Sequence, residues 1–145
     1  MKKITVFGGG GYCASILLPQ LLNEGWDVTA YDTFLYGTEH LPKKSNLLLV
    51  KGDVRDIDKV KEVLSNRDYV LHLACISNDA SFVLDEKLST SVNLDSFEPL
   101  VIAAKEAGVK RFVFASSSSV YGVSEYPDVT EDHPLVPLTL YNKYK

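Results

Sequence analysis

A doubly wound α/β domain, with a parallel sheet covered by helices on both faces, accounts for three features of this chain together. Short β-branched or aromatic runs alternate with amphipathic stretches along its length. A glycine cluster, Gly8 to Gly11, lies between the first such run and the first amphipathic stretch. An acidic residue, Asp32, closes the second run. Strands alternating with helices imply a buried parallel sheet with right-handed crossovers. Ligands of such sheets bind beyond the carboxyl ends of the strands.

The first strand is expected at Ile4 to Phe7, and Ile16, Leu17, Leu18, Leu21 and Leu22 give the following helix its apolar face. Pro19 removes one hydrogen bond inside that helix and is expected to bend it. Between them, Gly8 and Gly11 can take positive φ or let a phosphate approach the backbone, and the helix N-terminus behind them offers unpaired N–H groups to an anion. Ala14 fills a third small position, where helix and strand pack closely. The turn therefore reads as one that holds a diphosphate. Trp26 to Tyr31 forms the second strand pattern and ends in Asp32, 18 residues past Ala14. A carboxylate there can accept hydrogen bonds from an adenosine ribose and repels a 2′-phosphate. No arginine follows, since Thr33 and Phe34 come next, so the residues favour NAD over NADP.

Thr33 to Asn46 is polar, is punctuated by Gly37 and Pro42, and reads as a loop. Leu47 to Val50 gives a third strand, and Asp56 caps a helix whose Ile57, Val60, Val63 and Leu64 share one face. Tyr69 to Leu73 gives a fourth strand running into Ala74-Cys75. Ile76 to Asp79 follows, either as a turn or as a segment facing a substrate. A helical stretch is expected from about Asp85 to Ala107, kinked or divided by Pro99 and ended by Gly108. Arg111 to Ala115 forms the fifth strand, followed by Ser116 to Ser119. Gly8 to Gly11, Asp32, Asp53, Ala74 and the serine run each follow a strand, so they line one edge of the sheet.

With 145 residues the chain is about one domain. Its net charge of −4 and pI near 5.3 argue against nucleic acid as a partner, because no basic stripe offsets the repulsion. No apolar run is long enough to span a bilayer, and Met1-Lys2-Lys3 leads directly into a strand, so the expected location is the cytoplasm. Cys13 and Cys75 sit in apolar settings typical of small core residues and have no disulfide or zinc spacing. His40, His72 and His133 are too scattered to suggest a metal site.

Taken together, the residues resemble the extended short-chain dehydrogenase/reductase family, in particular its NAD-dependent sugar-nucleotide epimerase and dehydratase branch. The resemblance rests on residues 8 to 15, Tyr31-Asp32, Gly52 to Asp56, His72 to Cys75, Asn93, Ser116 to Gly122, and Tyr141-x-x-x-Lys145. It implies a Rossmann-type, NAD-binding domain over 1–145. Gly8, Gly11, Tyr12, Cys13, Asp32, Asp53, Val54, Leu73, Ala74, Tyr141 and Lys145 would be the cofactor-binding positions, with Asp53 and Val54 at the adenine. Ser117, Tyr141 and Lys145 would be the catalytic trio. A free tyrosine titrates near ~10, too high for a base at neutral pH. An ammonium about 4 Å away offers roughly 4 kcal/mol at an effective dielectric of about 20, or about a thousandfold in acidity. The spacing i to i+4 places Tyr141 and Lys145 on one helix face.

The activity implied is epimerisation of a nucleotide sugar through transient oxidation of a sugar hydroxyl. The 4,6-dehydratases of the family carry an acidic pair after the catalytic Ser or Thr. Here Ser118 and Ser119 stand in those positions, so an epimerase, or a reductase of a keto sugar, fits better than a dehydratase. A nucleotide-binding module or redox sensor without turnover is the alternative. Family members continue beyond the equivalent of Lys145 into a substrate-binding lobe, so the chain is expected to be truncated before that lobe and to turn over poorly alone. The resemblance also implies a homodimer built on the helix around Asn93 to Ala107 and the Tyr-Lys helix.

Overall fold

A computed structural model describes residues 1–125 and 127–145. Strands β1 (Lys3–Phe7), β2 (Asp27–Asp32), β3 (Leu47–Lys51), β4 (Tyr69–His72) and β5 (Arg111–Phe114) form one sheet in the order β3-β2-β1-β4-β5. Every pairing is parallel, with Phe7 opposite both Tyr31 and His72, and His72 opposite Phe114. These registers bring the carboxyl ends of the strands to one edge, as the alternation of elements requires.

Helices α1 (Tyr12–Asn23), α2 (Ile57–Leu64), α3 (Asp79–Leu84), α4 (Glu86–Thr90), α5 (Phe97–Glu106) and the single turn α6 (Leu140–Lys143) connect and follow the strands. Side chains of β1 alternate between two cores. Ile4 and Val6 pack with Ala14, Leu18 and Leu22 of α1, whereas Phe7 joins Tyr31, Val60, Leu64 and Leu100 beneath α2 and α5. Thr5, fully buried, donates its hydroxyl to the Val63 carbonyl at 2.7 Å and ties the sheet to the end of α2. On the α1 side, an apolar groove of about 310 Å³ runs past Leu17, Leu21, Trp26, Leu71 and Val113.

Helix α1 continues through Pro19 to Asn23, and Asp56 caps α2 by accepting the Lys59 N–H at 3.2 Å. The helical stretch expected from about Asp85 to Ala107 is present, and a separate short helix, α3, precedes it, opened by the Asn78 side chain accepting the Ser81 N–H at 2.9 Å. A second cap, Asp85 to Leu88 N–H at 2.9 Å, starts α4 afresh. Ahead of α5 the backbone widens into a π turn, Ser91–Asp95, in which the Ser96 N–H reaches the Ser91 carbonyl at 3.2 Å. Pro99 then falls in the first turn of α5, where a missing N–H leaves no gap in the ladder. The irregularity in the stretch is thus the π turn ahead of Pro99, across helical junctions at Ser91 and Ser96. Cys13, expected in an apolar core setting, is exposed, because the first turn of α1 projects from the sheet edge; Cys75 is half-buried.

Candidate functional site

The site is built around the turn that joins β1 to α1. Tyr31, next to last in β2, has a carbonyl that accepts two N–H groups, from Gly8 at 2.9 Å and Gly9 at 3.2 Å. Gly8 has φ +83°, and a Cβ there would lie 2.6 Å from the Ala74 nitrogen, so the turn can abut the end of β4 only without a side chain. At Gly9 a Cβ would meet that of Ala30 at 2.6 Å, which lets the turn settle on β2. Gly11 is the N-cap of α1, and its carbonyl accepts the Ser15 N–H at 3.0 Å. The N–H groups of Tyr12, Cys13 and Ala14 therefore have no acceptor within the helix, and no acidic residue stands in that first turn. Such an end accepts an anion.

Asp32 faces this turn from the end of β2. One carboxylate oxygen accepts the Gly10 N–H at 3.0 Å and the other accepts the Phe34 N–H at 2.8 Å. The oxygen bound by Phe34 also accepts the Thr33 hydroxyl at 3.4 Å, whereas the one bound by Gly10 keeps a lone pair for a further donor such as a ribose hydroxyl.

Beyond β3, Asp53 is engaged by a fork from Arg55, with Nε at 2.9 Å and Nη2 at 2.6 Å. Those hydrogen bonds hold its carboxyl below the usual range. The Asp53 carbonyl accepts the Tyr31 hydroxyl at 2.8 Å, and burial, aided by Asp56 and Asp53, pushes that phenol up to about 12. Val54 turns its side chain into the core, so only its backbone faces outward. Leu73 continues the sheet by donating its N–H to Phe7 at 2.8 Å and so sets Ala74 against Gly8.

At the far end of the edge, Ser117 begins a short 3-10 turn, Ser118–Tyr121. Its Oγ accepts the Ser119 N–H at 3.2 Å and lies 2.7 Å from the Ser119 hydroxyl. The Lys145 ammonium is held on the strand ends by the Ala115 carbonyl, by Cys75 Sγ at 3.7 Å and by the face of Phe114, 4.9 Å from its centroid. Tyr141 packs instead toward Phe82, with ring centroids 6.5 Å apart. Tyr141 lies in α6, Tyr144 is the C-cap of that turn and Lys145 follows it, so the two side chains meet different neighbours.

Residues 4–145 match the NAD dependent epimerase/dehydratase family. The chain belongs to that family. It is 32% identical over 146 residues to the UDP-glucose 4-epimerase of Rhizobium meliloti (strain 1021), covering 99% of this chain and 44% of the relative. It is also 32% identical over 154 residues to the dTDP-D-glucose 4,6-dehydratase of Mus musculus, covering 99% of this chain and 43% of that protein. Among solved structures, the UDP-glucose 4-epimerase from Bifidobacterium longum in complex with NAD+ and UDP superposes with a TM-score of 0.87 at 28% identity. That match covers 99% of this chain and 46% of the solved one. The chain thus spans less than half the length of these relatives.

Within this epimerase/dehydratase domain, two side chains have tasks that their sequence setting does not disclose. Asn93, in the π turn, clamps both polar groups of the Ile76 backbone, accepting its N–H at 2.8 Å and donating to its carbonyl at 2.9 Å. A half-buried loop after β4 is thereby fixed beside Cys75 and Lys145. His72, 3% exposed, stacks with Phe97 at 5.9 Å and meets Phe7 and Phe114 edge-on or tilted. Burial, with the Lys145 charge adding, pushes it down to about 4, so the imidazole is neutral at ordinary pH. Only its position on a strand between apolar residues hints at this. No group of His, Cys, Asp and Glu among the described residues could hold a metal.

Proposed function

We propose that the chain is the NAD-binding part of a nucleotide-sugar epimerase. The reading is carried by the glycine turn: a backbone that tolerates no Cβ at Gly8, unpaired N–H groups behind Gly11, and a carboxylate, Asp32, fastened to the same turn. These residues fit a dinucleotide with an unphosphorylated ribose. The diphosphate would lie on the first turn of α1 at Tyr12 and Cys13, the ribose on Asp32, and the adenine near Asp53 and the Val54 backbone. Leu73 and Ala74 would form the floor between them.

When bound, NAD supplies a reversible acceptor for the hydride of a sugar carbon. The chain's own residues do the rest. Tyr141 takes the hydroxyl proton at its phenol oxygen, and Ser117 Oγ holds the sugar oxygen as it becomes a carbonyl. Lys145 provides the positive charge that favours a phenolate; on a helix continued through Lys145 the two side chains share a face. Where the carbonyl so formed is reduced from its other face, Tyr141 would give the proton back to the sugar oxygen, and the outcome would be an epimerisation. Ser118 and Ser119, hydroxyl groups where an elimination needs an acid and a base, favour this over a 4,6-dehydration.

Exposed Leu94 and Ile102, 44% and 48% accessible on the α5 side, support a second copy of the chain as partner. The chemistry is tested in protein that carries the substrate lobe. UDP- and dTDP-sugars should be interconverted at one stereocentre, and Tyr141→Phe should lower the rate by at least about a hundredfold. Full activity in that variant excludes the proposed base, and accumulation of a keto-deoxy sugar identifies a dehydratase instead.

A further inference from the structure

The loop between β2 and β3 returns to the glycine turn. Two successive tight turns, closed by Gly37 N–H to the Phe34 carbonyl at 3.1 Å and Leu41 N–H to the Thr38 carbonyl at 3.0 Å, fold it back on itself. Leu41, 5% exposed, anchors it in the core with Ala14, Leu18 and Ala30. This anchoring carries the neighbouring residue, His40, to the turn, where its Nε2 lies 3.1 Å from the Gly10 carbonyl. A carbonyl oxygen only accepts, so Nε2 carries the hydrogen and donates it.

Gly10 is thereby gripped on both sides. Its N–H is bound by Asp32 at 3.0 Å, its carbonyl by His40, and a Cβ on it would come within 2.8 Å of the Phe34 ring. The Gly10–Gly11 peptide stands directly before the unpaired N–H groups of α1, and neither flanking residue has a Cβ to resist its rotation. Inside the turn, the N–H of that peptide is given to the Gly8 carbonyl at 3.1 Å, and from outside the turn His40 holds its carbonyl.

We infer that His40 is a positioning residue: its Nε2–H fixes the Gly10–Gly11 peptide and so keeps the first turn of α1 arranged to receive a diphosphate. This rests on the reading of that turn as the cofactor site. Its contribution to affinity is a reduced ordering cost on binding, since His40 holds the turn and not the ligand.

Binding of NAD, ADP and adenosine to the chain, followed by calorimetry or NMR titration, tests this. His40→Ala should weaken NAD and ADP by roughly three- to tenfold, the range of one hydrogen bond, and leave adenosine, which has no phosphate, unchanged. His40→Gln, whose amide can donate at similar reach, should restore most of the affinity. Wild-type chain that binds neither NAD nor ADP refutes the site reading itself. If wild type binds both, then unchanged affinity in His40→Ala, an equal loss for adenosine, or an equal loss in His40→Gln overturns the role given to His40.

Discussion

The Asp32 carboxylate accepts the N–H of Gly10 at 3.0 Å across 22 residues of sequence, so the residue placed to read a ribose also holds the turn placed to bind a diphosphate. The two halves of a dinucleotide site are one hydrogen-bonded unit. Asp32→Ala removes the charged acceptor of both Gly10 and Phe34, and should weaken NAD binding by roughly ten- to a hundredfold, the range for a hydrogen bond to a charged group. Asp32→Asn keeps an acceptor but loses the charge, and should narrow the preference for NAD over NADP. Titration calorimetry with both cofactors measures each effect.

Gly8 and Gly11 differ in what they tolerate. Gly8→Ala strains a backbone at φ +83° and drives a Cβ to 2.6 Å from the Ala74 nitrogen, a contact neither strand end can relieve. A loss of about 3 kcal/mol is expected in urea denaturation. At Gly11 the φ is −85° and the nearest atom, the Gly8 carbonyl oxygen, is 3.3 Å away, so Gly11→Ala should cost under about 1 kcal/mol.

His72 gives stability a pH dependence. Its pKa falls from the ordinary 6.5 to about 4 in the folded protein, so the unfolded chain binds a proton that the folded one refuses. Stability is then full above about pH 6.5 and is lost as pH falls toward 4, by about 3 kcal/mol in all. In His72→Phe that dependence should vanish between pH 4.5 and 6.5. Denaturation midpoints of both proteins across this window provide the check.

Asn93→Ala leaves the half-buried Ile76 N–H and carbonyl without their partners, and should cost about 1 to 2 kcal/mol. Amide exchange distinguishes this from a general loss. The Ile76 amide should lose protection well before those of β1.

The fold was legible because its signals are local. Ile4 to Phe7, Trp26 to Tyr31 and Arg111 to Ala115 identify strands by composition, each within one residue at either end, and Asp56 announces the helix it caps. The glycine turn and Asp32 were legible as a pair because their spacing belongs to one βαβ unit. What was not legible depends on contacts between distant segments. Asn93 clamps Ile76 from 17 residues away through a π turn, which no periodicity marks. His40 meets Gly10 from 30 residues away. One unread contact is local: Arg55, next but one to Asp53, takes up the carboxylate that the resemblance places at the adenine. The i, i+4 spacing of Tyr141 and Lys145 marked a helix of which one turn, Leu140–Lys143, is formed.

The central claim is that the glycine turn and Asp32 hold NAD. Calorimetric titration of the wild-type chain with NAD and with NADP tests it most directly. The account predicts one NAD bound per chain, with NADP weaker by at least about tenfold, because a 2′-phosphate meets the Asp32 carboxylate with no arginine beside it. Equal binding of the two, or no binding of either, would contradict it.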